Sequence, residues 1–283
     1  MTSRRQALAL IAAGAAAPAW AAPMAADRIR ALERASGGRI GVAAIDTGSG
    51  WRLVHRADER FPMCSTFKVL GVSAILHGVD TGRETLSRRM RVPGERVGWA
   101  PVTGKHVGQE MALGDICAAA LQWSDNGAAN LILDALGGPP AVTAYARAIG
   151  DARSRLDRRE PALNEALPGD PRDTTTPNAM AADLRRLLLG PTLSPASRQR
   201  LTDWMLGCRT SDDRFRAAVR KTWRVADKTG TGERGAANDV GVIWPPGRAP
   251  IVIAAYTVGA TTDLSHRNAT LAEIARIVVS ALP

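Results

Sequence analysis

Phe61-Pro62-Met63-Cys64-Ser65-Thr66-Phe67-Lys68-Val69-Leu70 marks the point where the chain changes its hydrophobic period. On its N-terminal side, residues 39–46 and 51–56 are strand-like runs on either side of the turn Thr47-Gly48-Ser49-Gly50, and residues 24–35 set Ile29 and Leu32 at helical spacing among charges. A short helix followed by a hairpin is expected there. On its C-terminal side, residues 67–79, 113–122, 128–136, 141–149 and 179–189 carry apolar side chains at helical spacing, broken by Gly and Pro. The strand pattern returns at 223–228, 237–244 and 251–258, and a last amphipathic run over 271–282 predicts a helix. Strands at both ends with helices between them imply an α/β protein: one antiparallel sheet flanked by helices, built from both termini, with an inserted all-helical domain. The expected division is 23–60 plus 213–283 for the α/β domain and 61–212 for the helical one.

The composition fits such a core. Of 283 residues, 45% are apolar and 23% charged, which is globular and excludes a disordered or membrane-spanning chain. Residues 1–22 read as an export signal: Arg4 and Arg5 are its only charges, an apolar stretch follows, and Ala19-Trp20-Ala21 fits a cleavage site near Ala21 or Ala22. Ser3-Arg4-Arg5-Gln6 suggests the twin-arginine route, and no cysteine near the site offers a lipid anchor. A periplasmic protein without a membrane anchor is expected. Losing Arg4 and Arg5 takes the formal net charge from +10 to +8. The remaining arginines are scattered and no nucleic-acid motif accompanies them, so no nucleic-acid partner is expected. Cys64, Cys117 and Cys208 form no C-x-x-C or framework spacing, which excludes a disulfide-stapled or zinc-ribbon fold. His55, His77, His106 and His266 are isolated, so no zinc site is expected.

Within the opening stretch, Ser65 and Lys68 stand three apart at a helix start and share a face. A hydroxyl becomes a nucleophile when a neighbour takes its proton, and a desolvated lysine can take part. By itself the pair carries little, since about 0.2 chance matches are expected per chain. Ser124-Asp125-Asn126, at a turn between helices, and Lys228-Thr229-Gly230, at the end of a strand, add weight, the second being expected by chance at only about 0.03 per chain.

These three motifs in this order are the set that marks class A β-lactamases and penicillin-binding proteins, and the chain resembles a class A serine β-lactamase across essentially its whole mature length. Glu160-Pro161-Ala162-Leu163-Asn164 separates the two relatives. The resemblance implies a compact catalytic loop over 158–173, its ends Arg158 and Asp173 joined by a salt bridge, with Glu160 and Asn164 holding the water that attacks an acyl-enzyme. Ser65, Lys68, Ser124 and Glu160 are then the catalytic residues, with Lys68 or Glu160 as the acylation base. The backbone N–H groups of Ser65 and Thr231 form the oxyanion hole. Trp99, Asn126, Asn164, Lys228, Thr229, Gly230, Thr231 and Arg214 bind substrate, in a site between the two domains.

Two of these residues have bland readings beside the functional one. Trp99, implied as an aromatic gate, also reads as a core tryptophan. Arg214 is the candidate partner of the substrate carboxylate because Ala237 stands where many relatives carry arginine, yet with 33 arginines a surface position is an equal reading. The resemblance also leaves the cysteines unpaired: Val72 faces Cys117 and Gly232 faces Cys64 where relatives carry partners. The implied function is hydrolysis of penicillins and cephalosporins by a monomer that needs no cofactor, conferring antibiotic resistance. The alternatives are a D-alanyl-D-alanine peptidase or penicillin-binding protein, and a β-lactam sensor that acylates without turnover.

Overall fold

The structure is a computed structural model that describes residues 21–95, 97–260 and 263–283. The expected export signal lies outside the described residues except for Ala21 and Ala22, which stand in the first helix. That helix, α1 (Ala21–Ser36), leads into the hairpin β1 (Arg39–Asp46) and β2 (Arg52–His55). The short β3 (Phe61–Pro62) and a single 3-10 turn, Cys64–Thr66, enter α2 (Phe67–Asp80). Next come β4 (Arg89–Arg91), β5 (Glu110–Ala112), α3 (Leu113–Gln122), α4 (Asn126–Leu136) and α5 (Pro139–Ala148). The chain continues through β6 (Thr174–Thr175), α6 (Pro177–Leu184), α7 (Pro195–Leu206) and the one-turn α8 (Phe215–Ala218). It closes with β7 (Arg224–Thr231), β8 (Ala237–Trp244), β9 (Ile251–Val258) and α9 (Leu264–Ser280).

One antiparallel sheet has the order β2-β1-β9-β8-β7. The N-terminal strand β1 pairs with β9 over its whole length, from Arg39 opposite Val258 to Asp46 opposite Ile251, so the two termini together make the sheet. Side chains alternate across it. Ile40, Val42 and Ala44 of β1 join Ile29 of α1 and Leu271, Ile274 and Val278 of α9 in one core. Ala43, Val240, Val242 and Tyr256 face the other way and join Phe67 and Leu70 of α2 and Met180 of α6 in a second, larger core. Because both faces are covered, β1, β8 and β9 are buried almost throughout, and β9 reads as an almost continuous apolar run. Residues 67–76 of α2 are all buried, as befits a helix that is apolar all round. The entry to α2 lies against β7, the edge strand.

Four elements depart from the sequence reading. β7 runs through Thr231, with Gly230 opposite Asn238 and Thr231 opposite Ala237, so Lys228-Thr229-Gly230 stands inside the strand and not at its end. α9 starts seven residues before the expected 271, because Asp263 caps it by accepting from the N–H groups of Ser265 and His266. α7 has no counterpart among the expected helices because its Arg198, Gln199, Arg200 and Asp203 dilute the apolar spacing, although Ser194-Pro195 is a cap-and-first-turn signal. The expected helix 179–189 is α6 followed by a π-helical turn, Arg185–Leu189.

Candidate active site

The site is assembled where the entry to α2, the α3–α4 turn, the 158–173 loop and the edge strand β7 meet. Ser65 sits in the 3-10 turn and Lys68 in the first turn of α2, so three residues of helical rise bring Lys68 Nζ back to Ser65 Oγ at 2.8 Å. Lys68 is fully buried and also donates to Ser124 C=O and Asn126 Oδ1, both at 2.8 Å. Ser124 has a left-handed backbone, φ 57°, and Cys64 another, φ 45°. Such conformations cost a non-glycine residue on the order of 1–3 kcal/mol and persist where the surroundings fix them. At Ser124 the result is a residue whose carbonyl meets one lysine and whose hydroxyl meets another.

Asp125, between Ser124 and Asn126, is an unforeseen contributor. Fully buried, it caps α4 through Ala128 N–H at 2.8 Å. Its other oxygen accepts from Val102 and Thr103 N–H, both at 2.9 Å, which fastens the segment bearing Trp99 to the motif. Trp99 is 58% exposed, which rules out the core reading; its C=O accepts from Asn126 N–H, and its indole N–H donates to Trp123 C=O.

The 158–173 loop is tied at its base. Arg158 Nε donates to Asp173 Oδ2 at 2.6 Å, and Asp173 Oδ1 accepts from the N–H groups of Asp157 and Arg158. Asn130 is a second residue that sequence reasoning missed. Standing four after Asn126 on α4, it donates to Glu160 C=O at 3.0 Å and accepts from Glu160 N–H at 3.1 Å. Glu160 is thereby held with Oε1 2.9 Å from Lys68 Nζ and 3.3 Å from Ser65 Oγ, while Oε2 accepts from Asn164 Nδ2 at 2.5 Å.

From β7, Lys228 Nζ donates to Ser124 Oγ at 2.8 Å, and Thr229 Oγ1 shares a 2.6 Å hydrogen bond with Thr210 Oγ1. A Cβ on Gly230 would lie 2.8 Å from Met63 C=O, so only glycine lets the strand approach the Ser65 turn this closely. Asn238, on the neighbouring strand, donates to the carbonyls of Pro62 and Met63 and straps that turn to the sheet. Arg214 is buried, contrary to its surface reading. Its guanidinium donates to Thr231 Oγ1 at 2.7 Å, to the carbonyls of Gly230 and Asn238, and to Asn268 Oδ1.

Burial lowers the pKa of both lysines. For Lys68 the nearby Glu160 carboxylate works against the shift; for Lys228 the like charge of Lys68 adds to it, and its pKa falls to about 7. Burial, reinforced by Glu160, raises the Cys64 thiol to about 12, so the thiol beside Ser65 is un-ionised and unreactive. Cys64, Cys117 and Cys208 are all free and buried, and a Cβ on Gly232 would lie 2.7 Å from Cys64 Sγ. No group of three or more His, Cys, Asp or Glu side chains that could hold a metal occurs among the described residues.

A hydroxyl with an amine and a carboxylate in direct reach, beside a strand that brings up a second ammonium, is built for acyl transfer through serine. Residues 24–282 match the family described as the beta-lactamase enzyme family. A β-lactamase of Streptomyces fradiae is 48% identical over 279 residues, 95% of this chain and 91% of its own. β-Lactamase L2 of Stenotrophomonas maltophilia is 49% identical over 265 residues, 93% and 88% of the two chains. Among solved structures, an ancestral (GNCA) class A β-lactamase superposes with a TM-score of 0.89 at 56% identity, covering 91% of this chain and all of its own. The putative class A β-lactamase PenP of Rhodopseudomonas palustris superposes equally well at 50% identity, covering 92% and 100%. The chain belongs to the β-lactamase enzyme family, in its class A branch.

Proposed function

We propose that the chain opens the β-lactam ring of penicillins and cephalosporins through an acyl-enzyme on Ser65, and thereby confers antibiotic resistance. The observation that carries this reading is the placement of Glu160, buried and within 2.9 Å of Lys68 Nζ and 3.3 Å of Ser65 Oγ. Proton transfer from Lys68 to Glu160 leaves a neutral amine 2.8 Å from Ser65 Oγ, able to take the hydroxyl proton as Oγ attacks the lactam carbonyl. The oxyanion is received by the N–H groups of Ser65 and Thr231, and such a donor is typically worth about 3–4 kcal/mol. Ser124, held by Lys228, gives its proton to the departing ring nitrogen. Lys228, Thr229 and Thr231, backed by Arg214, receive the substrate carboxylate; Asn126 takes the acylamide chain, with Trp99 at the mouth.

Deacylation needs a second base, and Glu160 with Asn164 supplies it by accepting a proton from the attacking water. A peptidase or sensor lacks this step and remains acylated. We further propose that the site lies between an α/β unit, 23–60 plus 213–283, and a helical unit, 61–212, and that the protein acts as a monomer after export to the periplasm and cleavage near Ala21 or Ala22. No helix among the described residues is long and apolar enough to cross a membrane. The test is turnover of a chromogenic cephalosporin by purified protein. Many product equivalents per protein are expected; a single stoichiometric burst would replace hydrolysis with acylation alone.

A further inference from the structure

A cavity of about 870 Å³ lies apart from the Ser65 site. It lies where the 158–173 loop faces the start of β1 and the end of β9. Its floor is apolar, from Pro62, Leu163, Ala166, Leu167, Pro168 and Val258. Around this floor stand six arginines, Arg39, Arg56, Arg60, Arg158, Arg172 and Arg234, against two carboxylates, Glu59 and Asp170. The size is in the range of pockets that enclose a small organic molecule, roughly 300–1,000 Å³.

The charges are unevenly satisfied. Arg172 pairs with Asp170, Arg39 with Glu59, and Arg158 with Glu165 and Asp173. Arg60 donates to neutral oxygens instead, the Arg153 carbonyl at 2.9 Å and the Thr174 hydroxyl at 3.0 Å. Among the described residues Arg60 makes no ion pair, and partial burial with the charges of Arg153, Arg155 and Arg147 lowers its pKa against the weaker opposing pull of Asp151. An anion placed beside it would relieve that repulsion.

We infer that this cavity is a second binding site, for an organic anion with an apolar body and a carboxylate, sulfonate or phosphate head, and that its occupancy is linked to the loop bearing Glu160. The head would meet Arg60 and Arg172 and the body would cover Leu163 and Leu167. Leu163 and Asn164 are consecutive, so one residue of the loop lines this cavity while the next holds Glu160. Linkage then requires only that the ligand bind one arrangement of the loop more tightly than another. The linkage rests on the deacylation role proposed for Glu160; the binding does not.

The test uses 8-anilinonaphthalene-1-sulfonate as the probe, titrated by fluorescence against the whole protein with Ser65 held by a boronic acid. Saturable single-site binding is expected, at least tenfold weaker in Arg60→Ala and in Arg172→Ala, with melting temperatures unchanged. Absence of saturable binding, affinity unaltered in both variants, or binding seen only in protein without the boronic acid would overturn the site. Saturating probe should also change kcat for a cephalosporin by about twofold or more with unmodified enzyme; binding with kcat unchanged would overturn the linkage.

Discussion

Arg214 Nη2 donates to Thr231 Oγ1 at 2.7 Å, so a buried guanidinium holds the hydroxyl that closes the Lys228-Thr229-Gly230-Thr231 strand. The same side chain spans four acceptors, which needs the planar fork of arginine and not the point charge of lysine. Arg214→Ala should therefore raise KM for penicillins about tenfold, with a smaller change in kcat, and Arg214→Lys should not restore it. Wild-type kinetics in Arg214→Ala would remove this residue from carboxylate recognition.

Lys228 gives a pH dependence of defined sign. With its pKa lowered to about 7 in the free protein, the ammonium proposed to attract the substrate carboxylate is present below that pH and lost above it. kcat/KM reports the free enzyme, so it should fall as pH rises through about 7. Lys228→Arg keeps the charge and should move that fall beyond pH 9. A Lys228→Arg profile with the same midpoint as wild type would assign the limb to another group.

Asp183 is the clearest source of pH-dependent stability. Burial and the neighbouring Asp151 raise its pKa from 3.8 to about 9. The folded protein keeps a proton that the unfolded chain has lost, so this group reduces stability progressively as pH rises from about 4 to about 9. Asp183→Asn mimics the protonated acid and removes the penalty. In urea unfolding, the variant should gain on wild type between pH 5 and pH 8.5; a difference that stays constant over that range would contradict the assignment.

The parts legible in the sequence are those whose local pattern is sufficient. β8, β9 and α3 are bounded as expected because their apolar patterns, strand-like in the first two and helically spaced in the third, end at turn residues, and Ser65, Lys68, Ser124 and Lys228 converge because short motifs fix them on rigid elements. What stays hidden depends on partners distant in the chain. Nothing local shows that Asp125 reaches Val102 and Thr103, that Asn130 clamps Glu160, or that Asn238 straps the Ser65 turn. Arg214 is concealed for the opposite reason: among 33 arginines, one that is buried by four acceptors has no mark in sequence. The strand around Lys228-Thr229-Gly230 reads short because glycine and threonine after a lysine resemble a turn, and only the pairing with Asn238 and Ala237 carries it on.

The proposed turnover depends above all on Glu160 serving the departure of the acyl group from Ser65. Intact-mass spectrometry of Glu160→Gln mixed with benzylpenicillin and sampled over minutes reads this out. A stoichiometric adduct with the mass of the whole antibiotic is expected, persisting after free drug is removed, located on Ser65 by peptide mapping and absent from the Ser65→Ala variant. Unmodified protein throughout, with steady-state turnover equal to wild type, would contradict it.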